Sequence, residues 1–575
     1  MKIVQENEYT VNSDISCDAK IILMRDEKVA FDLKWENGAK GKINIMFSLP
    51  CIDFECVWEP TCTMNRRFEI MNFSTSLMGA VPLIAYVNNA GNSVYALAAS
   101  ESVRKLDFEF KINEYTANID CIISLAAEDY ENINEYLLTL YIQKDEKPLY
   151  EACKNVSDWW ESILKLPESQ IFERIAVSGY NTWYSYHHNL TEENLLSESA
   201  EAKKLGMDML IVDSGWFNDS PHSAEGYSGD WEPSSRKIKD MKAFTDKIHS
   251  YGMQVLLWYG FSFIGFNSKV WERFKDKILC TYNNIQTGIL DPRYPEIREY
   301  MKGCYIRAAK EWNVDGFKFD FIDAFRNYKS AEKKKGMDFA TVEAACEYMM
   351  REVTESVRKI NKDIIIECRQ GYTGPYIRNY ANYLGPVDSP MYYRQNRVGI
   401  TDLRLTSGNT LVYSDMLMWN ENTTTEQAAL QVLNVIFGLL HFSVKMNEIS
   451  EDKKQMIRFW TDFSKKHHET LFKGKFMPLE MQNFYPVISS ESEEEAITAV
   501  YEIDKIVSIN AEKKNYVINA CDSDCLCLKT DYIGELNYET FDCMGNKNEN
   551  GVLNAGGILR INISKSGMAV LTGRK

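Results

Sequence analysis

Lys318 and Asp320, in the stretch Asp315-Gly316-Phe317-Lys318-Phe319-Asp320-Phe321, are the two residues of this chain best spaced to do chemistry together. The stretch reads as a β-strand, and residues two apart on a strand point to the same face. A lysine and an aspartate facing inward are costly to bury unless they pair or meet a polar ligand. One reading is a structural ion pair. The other is a carboxylate nucleophile beside a cation that hydrogen-bonds a substrate. Covalent cleavage of a glycosidic bond with retention needs a second carboxyl group about 5 Å away, to protonate the leaving oxygen and then to activate water. Asp388, at the end of Tyr383-Leu384-Gly385-Pro386-Val387-Asp388, lies two strands further on, and Asp402, Asp415 and Glu367 compete with it near other strand ends. Asp213, in Ile211-Val212-Asp213-Ser214-Gly215-Trp216, is a third candidate. It could accept two sugar hydroxyls while the indole covers the ring, or it could cap a helix.

Groups so far apart in sequence need a scaffold that gathers strand ends. From residue 172 to 470 strand-like and helix-like segments alternate, the pattern of parallel βα units. Candidate strands are Arg174–Gly179, Met209–Asp213, Gln254–Tyr259, Gly316–Phe321, Asp363–Cys368, Tyr383–Val387, Leu411–Met416 and Leu440–Lys445. Helical patterns cover Glu192–Lys204, Met241–Tyr251, Glu296–Trp312, Phe339–Asn361, Glu426–Phe437 and Glu451–Lys466. This count and length predict a (β/α)8 barrel over residues 166–478, with its site at the C-terminal ends of the strands. An open doubly wound sheet would use fewer strands and a Gly-rich phosphate loop, and the sequence has no such loop. Residues 1–165 carry short alternating runs separated by Asn- and Gly-containing turns, predicting a β-sandwich. Residues 479–575 return to short β-rich runs, and a small C-terminal β-sandwich is expected there. The fold class is therefore multidomain α/β.

The 575 residues carry a formal net charge of −17. A surface that acidic repels phosphate backbones and anionic lipid, so nucleic acid and membranes are not expected partners. A neutral or cationic small molecule is. No run of eighteen apolar residues occurs, and the N-terminus shows no basic segment leading into an apolar one, so cytoplasmic residence is expected. The fourteen Cys are scattered, the cluster Cys521, Cys525 and Cys527 has no His beside it, and the seven His show no ligand spacing. Neither a metal nor another cofactor is expected. Some of the 32 Tyr and 12 Trp would line a sugar pocket, the others filling cores.

In order along the barrel, several motifs resemble glycoside hydrolase family 36, the α-galactosidases and their relatives. Asn181-Thr182-Trp183 is similar to the end of the family's first strand. Val212-Asp213-Ser214-Gly215-Trp216-Phe217 is similar to its Asp-Asp-Gly-Trp segment, and Gly229-Asp230-Trp231 to the Gly-Asp-Trp that follows. Leu256-Leu257-Trp258-Tyr259 stands at its Leu-Trp-Phe, and Leu290-Asp291-Pro292 precedes Lys318-x-Asp320 as the family pattern requires. The resemblance implies a retaining α-glycosidase with flanking β-domains. It makes Asp320 the nucleophile and Asp388 the general acid/base. It assigns sugar binding to Asp213, Lys318, Trp183, Trp216, Trp231 and Trp258, with Cys368 and Arg369 at the position of a Cys followed by a Gly-rich loop. The implied partner is a small oligosaccharide or α-glycoside, and a homo-oligomer would be consistent with the family.

Four positions depart from the pattern. Ser214 replaces the second Asp, Gly260-Phe261-Ser262 replaces Glu-Pro-Glu, Arg369-Gln370-Gly371-Tyr372 replaces the Gly-rich loop, and Ser389-Pro390 follows Asp388. They leave an α-N-acetylgalactosaminide or an α-glucoside as alternatives to an α-galactoside. Transglycosylation at the same two aspartates and a non-catalytic sugar-binding barrel are the rival functions.

Overall fold

The computed structural model describes every residue except 1, 61–62, 65–71, 167–171, 221–223, 329–331, 370 and 575. Gln370, one of the motif residues above, therefore lies outside the described residues.

Between Gly179 and Phe442 eight strands form one parallel sheet. They are β1 (Gly179–Asn181), β2 (Met209–Val212), β3 (Gln254–Gly260), β4 (Gly316–Asp320), β5 (Ile365–Arg369), β6 (Tyr383–Gly385), β7 (Leu411–Val412) and β8 (His441–Phe442). Their order is β7-β6-β5-β4-β3-β2-β1-β8, and a parallel bridge from Tyr413 to Leu439 joins β7 to β8 and closes the barrel. Side chains of Ile175, Met209, Ile211, Leu256, Ile365, Tyr383, Leu411, Tyr413 and Leu439 fill its interior as a separate apolar cluster. Such a packed interior leaves only the strand ends free for chemistry.

The helices around it are α2 (Glu192–Lys204), α3 (Met241–Ser250), α4 (Pro295–Glu311), α5 (Val342–Ile360), α6 (Tyr393–Thr406), α7 (Thr425–Asn434) and α8 (Glu451–Lys466), while α1 (Leu149–Leu164) leads into the barrel. Their starts follow from capping side chains: Thr191, Asp240, Thr341 and Ser450 each accept a backbone N–H of the first turn, and Thr424 with Gln427 closes a capping box. Helix α6 has no counterpart among the sequence patterns. Its buried residues mix polar Asn396, Arg397, Thr401, Asp402 and Thr406 with apolar Val398, Ile400, Leu403 and Leu405, so no clean apolar stripe of period 3.6 marks it. The first strand also differs from expectation. Phe172–Ile175 is a helical turn and the strand begins at Gly179, while Ile175 joins the barrel interior and accepts the Tyr383 hydroxyl at 2.5 Å.

Ahead of the barrel, two antiparallel sheets of six and seven strands face each other over a core that includes Phe31, Leu33, Ile45, Leu97, Phe108 and Ile123. Beyond it, residues 475–573 form one mixed eight-stranded sheet, dominated by the long hairpin Cys525–Phe541 with Lys547–Asn562. The three parts meet at Asp402 in α6. This carboxylate has no exposed surface, and its Oδ1 accepts the Trp58 indole N–H at 3.0 Å and the Tyr485 hydroxyl at 2.6 Å.

Candidate active site

Strand alternation decides what reaches the mouth. In register across the sheet, Trp258 stands beside Lys318 and Lys318 beside Glu367, while Gly260 stands beside Asp320. Lys318 and Asp320 point inward from β4, as their spacing predicts. The Lys318 ammonium donates to Asp213 Oδ2 at 2.7 Å and lies 3.9 Å from Asp320 Oδ2. Asp213 is held from three further sides. Asn181 Nδ2 donates to it at 2.9 Å, the Ser214 N–H donates at 2.8 Å, and its own backbone N–H donates to Thr182 Oγ1 at 3.0 Å. Trp258 donates its indole N–H to Asp320 Oδ2 at 2.9 Å. These groups are all buried, with Asp320 the most open at 6%.

Burial pushes the Asp320 carboxyl above the usual range, against the pull of Lys318, Arg369 and the Trp258 indole. For Asp213 burial acts in the same direction, but Lys318, Asn181 and the Ser214 N–H overcome it and hold the carboxyl below its ordinary value. Lys318 is itself raised, since Asp213 outweighs the cost of burying the ammonium. Beside Lys318, on β5, lies Glu367. Burial lifts its carboxyl to about 7, and its Oε1 accepts the Tyr413 hydroxyl.

Arg369 organises the opposite wall. From one nitrogen, Nη2, it reaches Asp388 Oδ1 at 2.8 Å, Asp415 Oδ1 at 2.9 Å and the Pro386 carbonyl at 2.9 Å. Asp388 is the open end of this wall, its side chain 55% exposed, whereas Asp415 is fully buried. Asp415 Oδ2 accepts the Tyr184 hydroxyl at 2.9 Å and the Ser389 N–H at 2.5 Å, so it fixes both the guanidinium and the loop that carries Asp388. Of the rival carboxylates, Asp402 lies away in α6, and Glu367 lies beside Lys318 with its Oε1 on the Tyr413 hydroxyl. Asp415 belongs to the site as a support.

The residues expected to bind sugar divide. Asp213, Lys318, Trp258 and Arg369 converge at the strand ends. Trp183 is partly exposed at the same end, its backbone N–H on Asn181 Oδ1 at 2.8 Å and its ring 4.7 Å from that of His187. Trp216, Trp231 and Cys368, expected to bind sugar, are packed away from the mouth. Both indoles have no exposed surface. Trp216 packs on Tyr259 and Trp312 at 5.5 and 5.7 Å, and Trp231 on Phe217 and Tyr259 at 4.8 Å each. Cys368 lies between the inward Glu367 and Arg369, so alternation turns it outward into the core that holds Tyr305 and Cys346.

Sequence reasoning missed Tyr184, Glu225 and His188, and weighed Asp415 only as a rival acid. Glu225 Oε1 accepts the Ser214 hydroxyl at 3.1 Å and pairs with His188 Nε2 at 3.4 Å, which returns a carboxylate to the place where Ser214 removed one. No motif marks these residues, because a short helical turn at Glu225–Tyr227 brings the group in from the following loop.

The melibiase family model matches residues 165–474, more than half of the chain. Among curated proteins the chain is similar to α-galactosidase Mel36A of Lactobacillus acidophilus, 21% identical over 347 residues, which is 56% of this chain and 46% of that protein. The chain thus spans about half the length of the curated relatives it matches. Among solved structures it resembles the family 36 α-galactosidase AgaA of Geobacillus stearothermophilus, with a TM-score of 0.68, 12% identity, and coverage of 99% of this chain and 83% of that one. A variant of AgaA in complex with raffinose aligns with a TM-score of 0.67, 12% identity, and coverage of 100% of this chain and 84% of that one. With its parallel barrel, its flanking β-domains and the family match across the segment that carries Asp213, Lys318, Asp320 and Asp388, the chain belongs to the melibiase family, glycoside hydrolase family 36.

Proposed function

We propose that this chain cleaves α-glycosides with retention of configuration, by double displacement, and that α-galactosides are its substrates. The observation that carries the reading is the Asp213–Lys318–Asp320 cluster at the mouth of a closed parallel barrel, with Trp258 bound to the same Asp320 oxygen that Lys318 faces. Asp320 attacks the anomeric carbon while Asp388 gives a proton to the departing oxygen, forming an aspartyl glycosyl-enzyme. Asp388 then removes a proton from water, which attacks the anomeric carbon and releases the sugar. Asp388 suits this exchange because it is the site carboxylate open to solvent. Asp213 and Lys318 bind hydroxyls of the sugar. Trp183 covers one face, and Arg369 holds the acid/base loop. Raffinose, which the AgaA variant binds, names the class of oligosaccharide to try as a natural substrate.

We assign residues 1–165, 166–478 and 479–575 to the three domains; the sheets span 2–148, 179–442 and 475–573, so the first boundary falls between sheets and the second inside the strand Lys475–Leu479.

The test is release of the aryl group from a panel of aryl α-glycosides (galactoside, N-acetylgalactosaminide, glucoside) with β-anomer controls, alongside Asp320→Ala. Release from one α-glycoside is expected, with a loss of at least a thousandfold in the variant, roughly the scale of removing a covalent nucleophile. A variant that keeps more than about a tenth of the rate removes Asp320 as nucleophile.

A further inference from the structure

The loop that carries Asp388 runs on through Ser389 and Pro390 into Met391, Tyr392 and Tyr393. They lead from the C-terminal end of β6 to Tyr393, the first residue of α6, at the end of the barrel where the site lies. The last three are 43%, 70% and 39% exposed, an unusual run of large apolar surface. Among the described residues neither tyrosine ring stacks on another aromatic ring, and neither hydroxyl makes a hydrogen bond.

This surface is held in place. On one side the Ser389 N–H is bound by Asp415 at 2.5 Å. The turn closes with the Tyr392 N–H on the Ser389 carbonyl at 3.0 Å. On the other side Arg394 pairs with Glu502 of the C-terminal domain at 2.7 Å, and Gln395 accepts the Met64 N–H of the N-terminal domain at 2.9 Å. Met391 is kept in the left-handed region at φ +65°, which a side chain with a Cβ adopts only when its surroundings require it. The chain is thus bent to present apolar side chains a few residues from the group that protonates the leaving oxygen.

We propose that Met391, Tyr392 and Tyr393 form the platform that receives the leaving group, and that they favour α-glycosides whose aglycone is an aromatic or other flat apolar ring. The inference rests on Asp388 being the acid/base. A proton passed from Asp388 to the glycosidic oxygen requires the departing group to lie against the loop of Asp388. The exposed rings of that loop then offer it a surface on which to stack.

The experiment uses Asp320→Asn full-length protein, which removes the nucleophile, and calorimetric binding of p-nitrophenyl α-galactoside and methyl α-galactoside. The aryl glycoside is expected to bind about tenfold more tightly than the methyl one, and the ratio to fall to about two or less when Tyr392→Ala and Tyr393→Ala are added. Phe at both positions should restore it. A ratio that survives both alanines, or equal binding at the outset, overturns the proposal, as does binding of neither glycoside. A fall in molar mass of the alanine variants by light scattering would give the surface to a second copy of the chain, and overturns it too. Failure of the glycosidase reading shows separately, as no turnover of any glycoside by wild-type protein.

Discussion

Replacing Trp258 by Phe isolates one hydrogen bond at the candidate nucleophile. The indole N–H donates to Asp320 Oδ2 at 2.9 Å, and both residues are at least 94% buried, their exposures being 2% and 6%. A hydrogen bond to a charged group is worth about 1.5–3 kcal/mol, and it is made to the ionised carboxylate rather than to the neutral acid. Removing it raises the Asp320 pKa by about one to two units, at roughly 1.4 kcal/mol per unit. The direction adds to the upward push that burial already exerts on this carboxyl. Attack needs the ionised form, so the acid limb of kcat/KM against pH should move to higher pH by about one to two units. The assay is the pH profile of aryl α-glycoside hydrolysis by both proteins, with thermal unfolding as a control for packing. The control matters because Trp258 stacks on Phe217 at 6.0 Å. An acid limb that stays in place, with activity lowered evenly at all pH values, refutes the reasoning and assigns Trp258 to packing.

Asp415→Asn keeps the shape of the side chain and removes the charge that holds Arg369 and the Ser389 N–H. Displacing a catalytic group by about 1 Å costs on the order of a hundredfold, so kcat should fall by about that factor while KM changes little. Steady-state kinetics within twofold of wild type would show that Asp415 does not position Asp388. Glu367→Gln is expected to act on stability. The folded carboxyl titrates near about 7 against an ordinary value of 4.5, so the folded state binds more protons than the unfolded one in that window. Wild-type stability therefore falls as pH rises from about 4.5 to about 7 and levels off above, whereas a glutamine does not titrate. Relative to wild type, the variant should gain on the order of 3 kcal/mol across the window. Denaturant melts at about pH 4 and about pH 8 that differ by the same amount in both proteins would exclude this.

The sequence made the barrel legible because its strands are short apolar runs and its helices have capped, amphipathic patterns. Glu192–Lys204 and Glu451–Lys466 begin and end where the periodicity places them. Helix α6 escaped because polar and apolar side chains are buried together around it, which blurs the apolar period. The single mixed sheet at the C-terminus was not separable from two packed sheets, because strand patterning does not report which strands pair. At the site, the two-residue spacing of Lys318 and Asp320 was enough to bring them inward, and the same rule applied along β5 would have turned Cys368 outward. Trp216 and Trp231 share their motifs with site residues, but their indoles point into the layer between β3 and α4, which composition alone does not reveal. The support given by Asp415, Tyr184 and Glu225 depends on contacts between loops far apart in sequence. No local pattern records those.

The bond between Trp58 and Asp402 joins residues 344 apart, and it bears on how the molecule is made. At about 5–20 residues per second of synthesis, the indole waits roughly twenty seconds to over a minute for its acceptor. Tyr485, which shares the same oxygen, arrives later still. The sandwich can close its own core early, but its seam with the barrel is sealed only when nearly the whole chain has left the ribosome. An excised barrel ending at the family match would lack both the Trp58 and the Tyr485 donor to this carboxylate. The parts of this protein are separable on paper but are finished together.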